Sequence, residues 1–250
     1  MKIMLLSYSS SNGFYGLGFG GLGMLYDPTM ILVLIGLVIS LIASARVKST
    51  FAKYDKVRSM SGLTGAQAAE RILHGAGIYD VGIRRVQGNL TDHYDPRSKT
   101  LNLSDSTYMS TSVAAIGVAA HECGHAIQHQ EQYKPLILRS TLVPAANLGS
   151  TLFWPIFLAG LIFSMGPLMT AGIVLFTLAV IFQLVTLPVE FNASSRAVKI
   201  LGSSHICGDQ EVAGVKQVLS AAALTYVASL ASSILQLLRL IILSGGRNRD

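Results

Sequence analysis

Residues 113–125 read Val-Ala-Ala-Ile-Gly-Val-Ala-Ala-His-Glu-Cys-Gly-His, an apolar, helix-compatible run that ends in two histidines four positions apart. Side chains at positions i and i+4 of an α-helix project from the same face, so His121 and His125 can direct imidazole nitrogens at one metal ion. Glu122 then lies beside the coordination position that a catalytic zinc ion leaves open for water. The spacing predicts a zinc peptidase site in which Glu122 is the general base.

Two other interpretations of these residues fit the rest of the chain less well. A di-iron helical bundle would use Glu122 and His125 as a Glu-x-x-His pair, but it needs a second such pair, and the sequence contains none. The simpler alternative is a helix that carries two histidines for packing or surface reasons. The long apolar flank and a plausible carboxylate ligand downstream favour the metal site.

The composition indicates an integral membrane protein. Hydrophobic residues make up 51% of the chain and charged residues only 13%, which is too apolar for an ordinary soluble protein of this length. About 20 apolar residues are needed to cross the hydrocarbon core of a bilayer. Arg239 is the one charged residue in the last candidate span, residues 220–244, and lies near its end, where we expect its side chain to extend to the membrane surface. The two cysteines, Cys123 and Cys207, are predicted to be free thiols in a reducing compartment. The candidate spans are residues 26–45, 142–165, 168–187 and 220–244.

The distribution of positive charge predicts the orientation of these spans. Five basic residues occur between positions 46 and 58, whereas only Lys2 precedes the first span. The positive-inside rule therefore sends residues 46–140 to the cytoplasm. The short Gly166-Pro167 turn makes residues 142–187 a transmembrane hairpin, so the chain returns to the cytoplasmic side near Glu190. Residues 220–244 either span the membrane or form a re-entrant helix, because a span would place the basic C-terminus outside.

The third metal ligand has to come from outside the motif helix. A metzincin would have a glycine three residues after His125 and a histidine six residues after it, where this chain has Gln128 and Glu131. Glu190 is the better candidate, because it begins a helical segment directly after the third span. The alternative is an acid that complements the dipole at a helix N-terminus. An acid at the edge of a span is costly without a partner, which favours the ligand.

Further polar residues are candidates for supporting roles around the metal. Asn192 and Ser194 could orient the histidines from behind. His129 extends the face of the two motif histidines by one turn and is expected beside the cleft, because a fourth protein ligand would close the site to water. His93 and His205 could each stabilise an oxyanion, or they could simply be surface histidines.

The segment between the first span and the motif predicts a small α+β domain. Residues 64–73 begin with a possible cap at Thr64 and continue as an amphipathic helix, and residues 81–86 predict a short strand. Residues 89–94 and 99–103 flank a turn-rich centre and predict a hairpin. An exposed edge strand there could pair with an extended peptide, or the hairpin could be purely structural.

The chain is therefore predicted to be a mainly α membrane protein with about four transmembrane helices and a small α+β, zincin-like cytoplasmic domain that carries the His-Glu-x-x-His helix. The predicted parts are a poorly ordered tail (1–25), a first transmembrane helix (26–45), a catalytic domain (46–140), a transmembrane hairpin (142–187), a cytoplasmic helical segment with the third ligand (188–218) and a fourth transmembrane or re-entrant helix (220–244).

Several motifs together carry a family resemblance. They are residues 26–30 (YDPTM), 48–51 (KSTF), 91–97 (TDHYDPR), 119–128 (AAHECGHAIQ) and 190–194 (EFNAS). With them the chain resembles the bacterial YugP-type neutral zinc metallopeptidases over about residues 26–243. It is more distantly similar to the membrane gluzincins that include HtpX-type proteases and the CAAX prenyl endopeptidases.

This resemblance implies roles for four residues. His121 and His125 would be zinc ligands, Glu122 the general base and Glu190 the third ligand. The chain departs from the wider group at one position, because an Asp is expected four residues after the ligand Glu and Ser194 stands there. A serine supplies no charged partner for a histidine ligand, and Asn192 is a candidate substitute.

The sequence thus predicts a zinc-dependent endopeptidase that acts on membrane or membrane-associated proteins at the cytoplasmic face of the bacterial cytoplasmic membrane. Its partners would be a protein or peptide substrate and membrane lipid, with no nucleic acid. The alternative is a non-catalytic zinc-binding membrane scaffold or chaperone-like protein, although a structural zinc site needs no Glu122. A transporter is disfavoured, because the residues of the hairpin spans include no ionisable side chain.

Overall fold

The computed structural model describes residues 27–247 of the chain, so the predicted tail at residues 1–25 lies outside the described residues. The described part is mainly helical and has one small sheet. In chain order the elements are α1 (Met30–Asp55), α2 (Gly65–Gly75), β1 (Gly82–Val86), β2 (His93–Asp95), β3 (Thr100–Ser104), α3 (Asp105–Tyr108), α4 (Val113–Gln130), α5 (Lys134–Ile162), α6 (Gly166–Ser203) and α7 (Asp209–Arg247).

Four of the helices are long and apolar enough to cross a membrane. They are α1, α5, α6 and α7. Helices α6 and α7 contain the predicted runs 168–187 and 220–244, whereas α1 and α5 overlap the predicted runs 26–45 and 142–165 in part. The shortest, α1, has 26 residues, which at the α-helical rise makes it about 39 Å long. That length exceeds the roughly 30 Å of a bilayer's hydrocarbon core. Large apolar side chains such as Leu34, Leu41 and Ile42 are exposed along α1, as suits a helix that faces lipid.

Two helix boundaries differ from those that the sequence predicts. The turn of the hairpin is at residues 163–165, and Gly166 and Pro167 already begin α6. A proline is well tolerated in the first helical turn, because its missing N–H would have no partner there. The third span was also expected to end near Pro188, but α6 runs through this proline to Ser203 as one helix of 38 residues.

The described residues form two compact units. The first unit comprises residues 43–138 and 186–225, and the second comprises residues 27–42, 139–185 and 226–247. The first unit contains the sheet and α4, and the second contains most of the apolar helical residues.

The sheet of the first unit has the strand order β1-β3-β2. Strand β2 pairs antiparallel with β3, with Tyr94 opposite Leu101, and this confirms the predicted hairpin. Strand β1 pairs parallel with β3, with Gly82 opposite Thr100, which the sequence did not predict. Leu101 and Leu103 on the central strand are buried in the core of the unit. Strand β2 is an edge strand, so one of its sides is not paired within the sheet.

Helix α4 lies at the centre of the first unit. Its residues 113–128 are all buried, as is typical of a helix enclosed by protein on every side. The hydroxyl of Ser112 caps its N-terminus by accepting a hydrogen bond from the backbone N–H of Ala115. Helix α2 packs nearby and begins with the predicted cap, where Thr64 and Gln67 form a capping box.

Helix pairs in the second unit pack closely at small residues. A Cβ on Gly160 would lie 2.6 Å from the backbone N of Met169, so α5 and α6 are in backbone contact near their turn. Helices α1 and α7 are joined by a hydrogen bond of 2.8 Å from the Ser232 hydroxyl to the carbonyl of Gly36.

Arg239 does not extend from the end of α7 as predicted. Its side chain is buried, and its Nη2 atom lies 3.3 Å from Oδ2 of Asp27, just before α1. A charged side chain inside an apolar helical bundle is costly unless it is paired, so this contact stabilises α7 against α1.

Candidate metal centre

Three side chains of the first unit converge on one buried point. His121 and His125 project from adjacent turns of α4, and Glu190 projects from α6. One potential ligand atom from each lies within 4.8 Å of the other two. The Oε2 atom of Glu190 is 3.3 Å from Nε2 of His121 and 3.6 Å from Nε2 of His125. The two imidazole rings stand nearly perpendicular, at 86°, with their centroids 4.8 Å apart.

The arrangement fits a zinc ion. Two imidazoles and one carboxylate are a donor set of catalytic zinc sites, and tetrahedral ligands at ordinary zinc bond lengths lie about 3.3 Å apart. The separations between Glu190 and the histidines are close to that value. Nε2 of His121 and Oε2 of Glu190 are both buried and lie 3.3 Å apart, and neither atom makes a well-aligned hydrogen bond to a described residue. A buried polar atom without a partner is costly, and a bound cation would remove that cost.

The side chains meet because α4 and α6 approach to backbone contact at Gly124. A Cβ built at Gly124 would lie 2.7 Å from the carbonyl oxygen of Ala193, which is too close for any other residue without a shift. The sequence suggested that Gly124 leaves space near the metal, whereas in the structure it leaves space for α6. The facing stripe of α6 is completely buried and consists of Val189, Ala193, Ala197 and Leu201.

Glu190 lies well inside α6 and not at a helix N-terminus. Helix α6 begins at Gly166, 24 residues earlier, and is continuous through Glu190. The alternative interpretation of Glu190 as an acid that complements a helix dipole is therefore wrong, because the dipole effect is confined to the first turn. Its carboxylate is 3% exposed and faces the two histidines.

Ser194, a candidate support for the histidines, lies beside His121. Its hydroxyl is 3.1 Å from Nδ1 of His121, so it can hold the ring with Nε2 directed at Glu190. The hydroxyl rotates and can either donate or accept this hydrogen bond.

Gln128 lies behind His125, and the sequence did not reveal this role. Its Oε1 atom is 3.0 Å from Nδ1 of His125. Its Nε2 atom donates to the carbonyl of Val189 and to Oδ1 of Asn192, each at 2.9 Å. Asn192, predicted as a support for the histidines, thus reaches His125 only through Gln128. The available signal was its position three residues after His125, on the same helix face.

Glu122 is buried beside the cluster and is held by the edge strand. Its Oε2 atom accepts a hydrogen bond of 3.1 Å from the backbone N–H of Tyr94 on β2. The Tyr94 hydroxyl is 2.8 Å from Nδ1 of His129, so the predicted neighbour of the cleft contacts this strand. Burial raises the pKa of Tyr94 to about 12, and the carboxylates of Asp80 and Asp95 contribute to the same shift. Tyr94 therefore remains protonated at neutral pH.

The two predicted oxyanion candidates, His93 and His205, are not brought into this group. Nδ1 of His93 donates to the carbonyl of Thr91 at 2.9 Å, and its Nε2 lies 3.3 Å from the amide nitrogen of Asn102. Both ring nitrogens are thus used within the hairpin. His205 is exposed in the turn between α6 and α7, where its φ is 53°.

Comparison with known proteins gives concordant findings. The family described as "Putative neutral zinc metallopeptidase" matches residues 29–245. The chain is 48% identical over 220 residues to the "Putative membrane protease YugP" of Bacillus subtilis (strain 168), an alignment that covers 88% of this chain and 98% of that protein. A comparison with solved structures finds no match.

Proposed function

From the premise that this chain belongs to the neutral zinc metallopeptidase family, we propose that it is a zinc-dependent endopeptidase of the gluzincin type. It hydrolyses peptide bonds of membrane or membrane-associated proteins at the cytoplasmic face of the membrane. The observation that carries this proposal is the buried group of His121, His125 and Glu190 with Glu122 directly beside it.

In this proposal His121, His125 and Glu190 would hold the zinc ion. When bound, zinc is a Lewis acid that polarises the scissile carbonyl and lowers the pKa of a water molecule toward neutrality. Among residues 27–247 three side chains offer ligand atoms, and three ligands would leave a coordination position for that chemistry. A structural zinc site would instead be closed by a fourth protein ligand, so this donor set supports an enzyme over a scaffold.

Glu122 is the proposed general base. It takes a proton from the attacking water and later transfers it to the leaving amine. The hydrogen bond from the Tyr94 backbone N–H holds one carboxylate oxygen in place and favours the ionised form that can accept a proton. Because Glu122 precedes Cys123 on α4 and follows His121 directly, the helix itself fixes its distance from the ligands.

The edge strand β2 is the proposed site of substrate docking. Its inner side pairs with β3, and the N–H of Tyr94 points from its other side to Glu122. Because the N–H of Tyr94 is already donated to Glu122, an extended peptide on this outer side would donate its own N–H to the Tyr94 carbonyl oxygen, and it would run past the general base. Backbone pairing of this kind selects for an extended conformation more than for particular side chains.

The proposed membrane location rests on α1, α5, α6 and α7. The basic residues after the first span support a cytoplasmic site by the positive-inside rule. The pairing of Arg239 with Asp27 supports a spanning α7, because it brings the C-terminal part of α7 beside the N-terminal end of α1. A re-entrant α7 would have to turn back before that point.

Glu122→Gln tests the proposed activity. The full chain, purified with zinc, is compared with the variant for zinc content and for cleavage of casein. We expect the variant to retain zinc and to lose about 100-fold or more in turnover, since a general base contributes at least that factor. Glu70→Gln, an exposed glutamate on α2, is the matched control and should cleave like the wild type. Equal cleavage by Glu122→Gln, or a zinc-loaded wild type that cleaves no protein, would contradict the proposal.

A further inference from the structure

We propose that Gln128 is a positioning residue that selects the tautomer of His125 and thereby sets the zinc affinity of the site. This inference rests on the proposed zinc site but not on proteolysis. Gln128 is completely buried, and its side chain contacts both a histidine of the metal group and the helix segment around Glu190.

The orientation of the Gln128 amide follows from its partners. The carbonyl oxygen of Val189 can only accept a hydrogen bond, so the amide group 2.9 Å away must present its NH₂ to it. The same nitrogen donates to Oδ1 of Asn192. The Oε1 atom of Gln128 is therefore the atom that faces His125.

This orientation determines the proton position on His125. An amide oxygen has lone pairs and no proton, so the contact of 3.0 Å with Nδ1 is a hydrogen bond only when Nδ1 carries the hydrogen. A neutral imidazole with its hydrogen on Nδ1 has its lone pair on Nε2. Nε2 is the atom that faces Oε2 of Glu190, so the lone pair points to the metal position.

Asn192 is itself fixed by a charged neighbour. Its Oδ1 atom accepts a hydrogen bond of 2.7 Å from Nε of Arg196, one turn further along α6. Nη2 of Arg196 lies 2.7 Å from Oε2 of Glu131, the residue that follows α4. The resulting chain of contacts begins at the end of α4, crosses to α6 and returns to α4 at Gln128. Rotation of the Gln128 amide would break hydrogen bonds at both of its ends.

The two histidines are therefore supported unequally. The Ser194 hydroxyl behind His121 can donate or accept, so it does not select a tautomer. The Oε1 atom of Gln128 can only accept a hydrogen bond, so it selects the tautomer of His125 that has its hydrogen on Nδ1. The directional support of the site therefore comes from Gln128 on the motif helix.

Gln128→Met tests the inference, because methionine has a similar length and neither donates nor accepts a strong hydrogen bond. Zinc affinity of the full-length protein is measured by competition with a chelator, without any proteolysis assay. We expect the affinity to fall about 10- to 100-fold, the range seen when the outer partner of a ligand is removed. Gln130→Met, an exposed glutamine at the end of the same helix, is the control and should bind zinc like the wild type.

A second readout separates positioning from packing. Nitrogen-15 NMR of the histidine rings in metal-free protein should show a hydrogen on Nδ1 of His125 throughout in the wild type. In Gln128→Met a share of the His125 rings should lack that hydrogen, because Glu190 facing Nε2 is then the remaining acceptor. The signal is assigned by its loss in His125→Asn. The proposal is overturned if Gln128→Met leaves the hydrogen on Nδ1 of His125 and the zinc affinity unchanged and lowers the thermal stability of the metal-free and zinc-loaded forms equally. Gln128 would then be a packing residue.

Asn192→Ala provides a variant that leaves Gln128 in place. It removes one of the two acceptors that orient the amide, so zinc affinity should fall in the same direction but by less than about 10-fold. If Gln128→Met does not fold, Asn192→Ala decides the matter alone. Unchanged zinc affinity of Asn192→Ala would then overturn the inference. A wild type that binds zinc but does not depend on Glu122 for cleavage would contradict the proposed activity and leave the role of Gln128 intact.

Discussion

At the scale of single residues, burial determines the reactivity of the two cysteines. The thiol of Cys123 is enclosed in the core, with its sulfur 3.6 Å from the carbonyl of Ala69. Burial raises its pKa, and the charge of Glu122 acts in the same direction. Burial likewise raises the pKa of Cys207 to about 11, with a further contribution from Glu211. Both residues are free thiols, as the sequence predicts.

The burial of both thiols and the upward shift of each pKa predict slow alkylation of the folded protein. The thiolate is the reactive form, so a pKa raised from 9.0 to about 11 lowers its fraction at pH 8 by about 100-fold. We expect neither cysteine to react appreciably with N-ethylmaleimide at pH 8 until denaturant is added, as measured by mass spectrometry. The rate at Cys207 should increase as the pH rises toward 11. Rapid modification of Cys123 in the folded protein would contradict its position in the core.

The grouping of His121, His125 and Glu190 could be predicted from the sequence, but the support of the group could not. Two histidines four positions apart share a helix face whatever surrounds the helix, and the hairpin returned Glu190 to the same side. Gln128 acquires its role only when Val189 and Asn192, more than 60 positions away, pack against it. No local pattern encodes that contact, since a buried glutamine has no periodicity of its own.

At the scale of helices, the approach of α4 to α6 depends on Gly124. The Cβ of any other residue would overlap the carbonyl oxygen of Ala193 at 2.7 Å, and that oxygen belongs to a rigid helix. The helices would have to separate, which would also move Glu190 away from His121 and His125. The geometry of the metal group is therefore coupled to the packing of two helices.

Gly124→Ala tests this coupling. Overpacking at the contact should lower the free energy of unfolding by about 1–3 kcal/mol, and the displaced Glu190 should weaken zinc binding. Thermal unfolding and chelator competition measure the two effects. Gly75→Ala is the matched control, because a Cβ at Gly75 meets nothing within 4 Å. A Gly124→Ala protein with the stability and zinc affinity of the wild type would show that α4 and α6 do not need this close contact.

Element types were easier to predict than their ends and pairings. The capped helix after Thr64 and the β2–β3 hairpin carry local signals, and both are present. The continuation of α6 through Pro188 could not be predicted locally. The proline removes one backbone hydrogen bond, but the completely buried stripe of α6 beyond it, from Val189 to Leu201, offsets that loss by packing. The parallel pairing of β1 with β3 has no sequence signal either.

At the scale of the whole molecule, the chain leaves the first unit and returns to it. Residues 139–185 belong to the second unit, and residues 186–225 belong to the first. This interruption nearly coincides with the hairpin predicted at residues 142–187, and it explains how a ligand 65 positions after His125 joins the same site. The apolar segment 139–185 therefore also returns the chain to the first unit just before Glu190, the third member of the metal group.

Site-directed labelling tests the membrane orientation that we propose for residues 139–185. Met60 is 91% exposed in a loop of the first unit, and Ser164 is exposed in the turn between α5 and α6. By the positive-inside rule the loop should face the cytoplasm and the turn the outside. A membrane-impermeant maleimide applied to intact cells should label Ser164→Cys at once and Met60→Cys only after permeabilisation. The wild type, whose two cysteines are buried, is the unlabelled control. Labelling of Met60→Cys in intact cells would place the metal group on the outer face, and a substrate would then have to be sought among exported proteins.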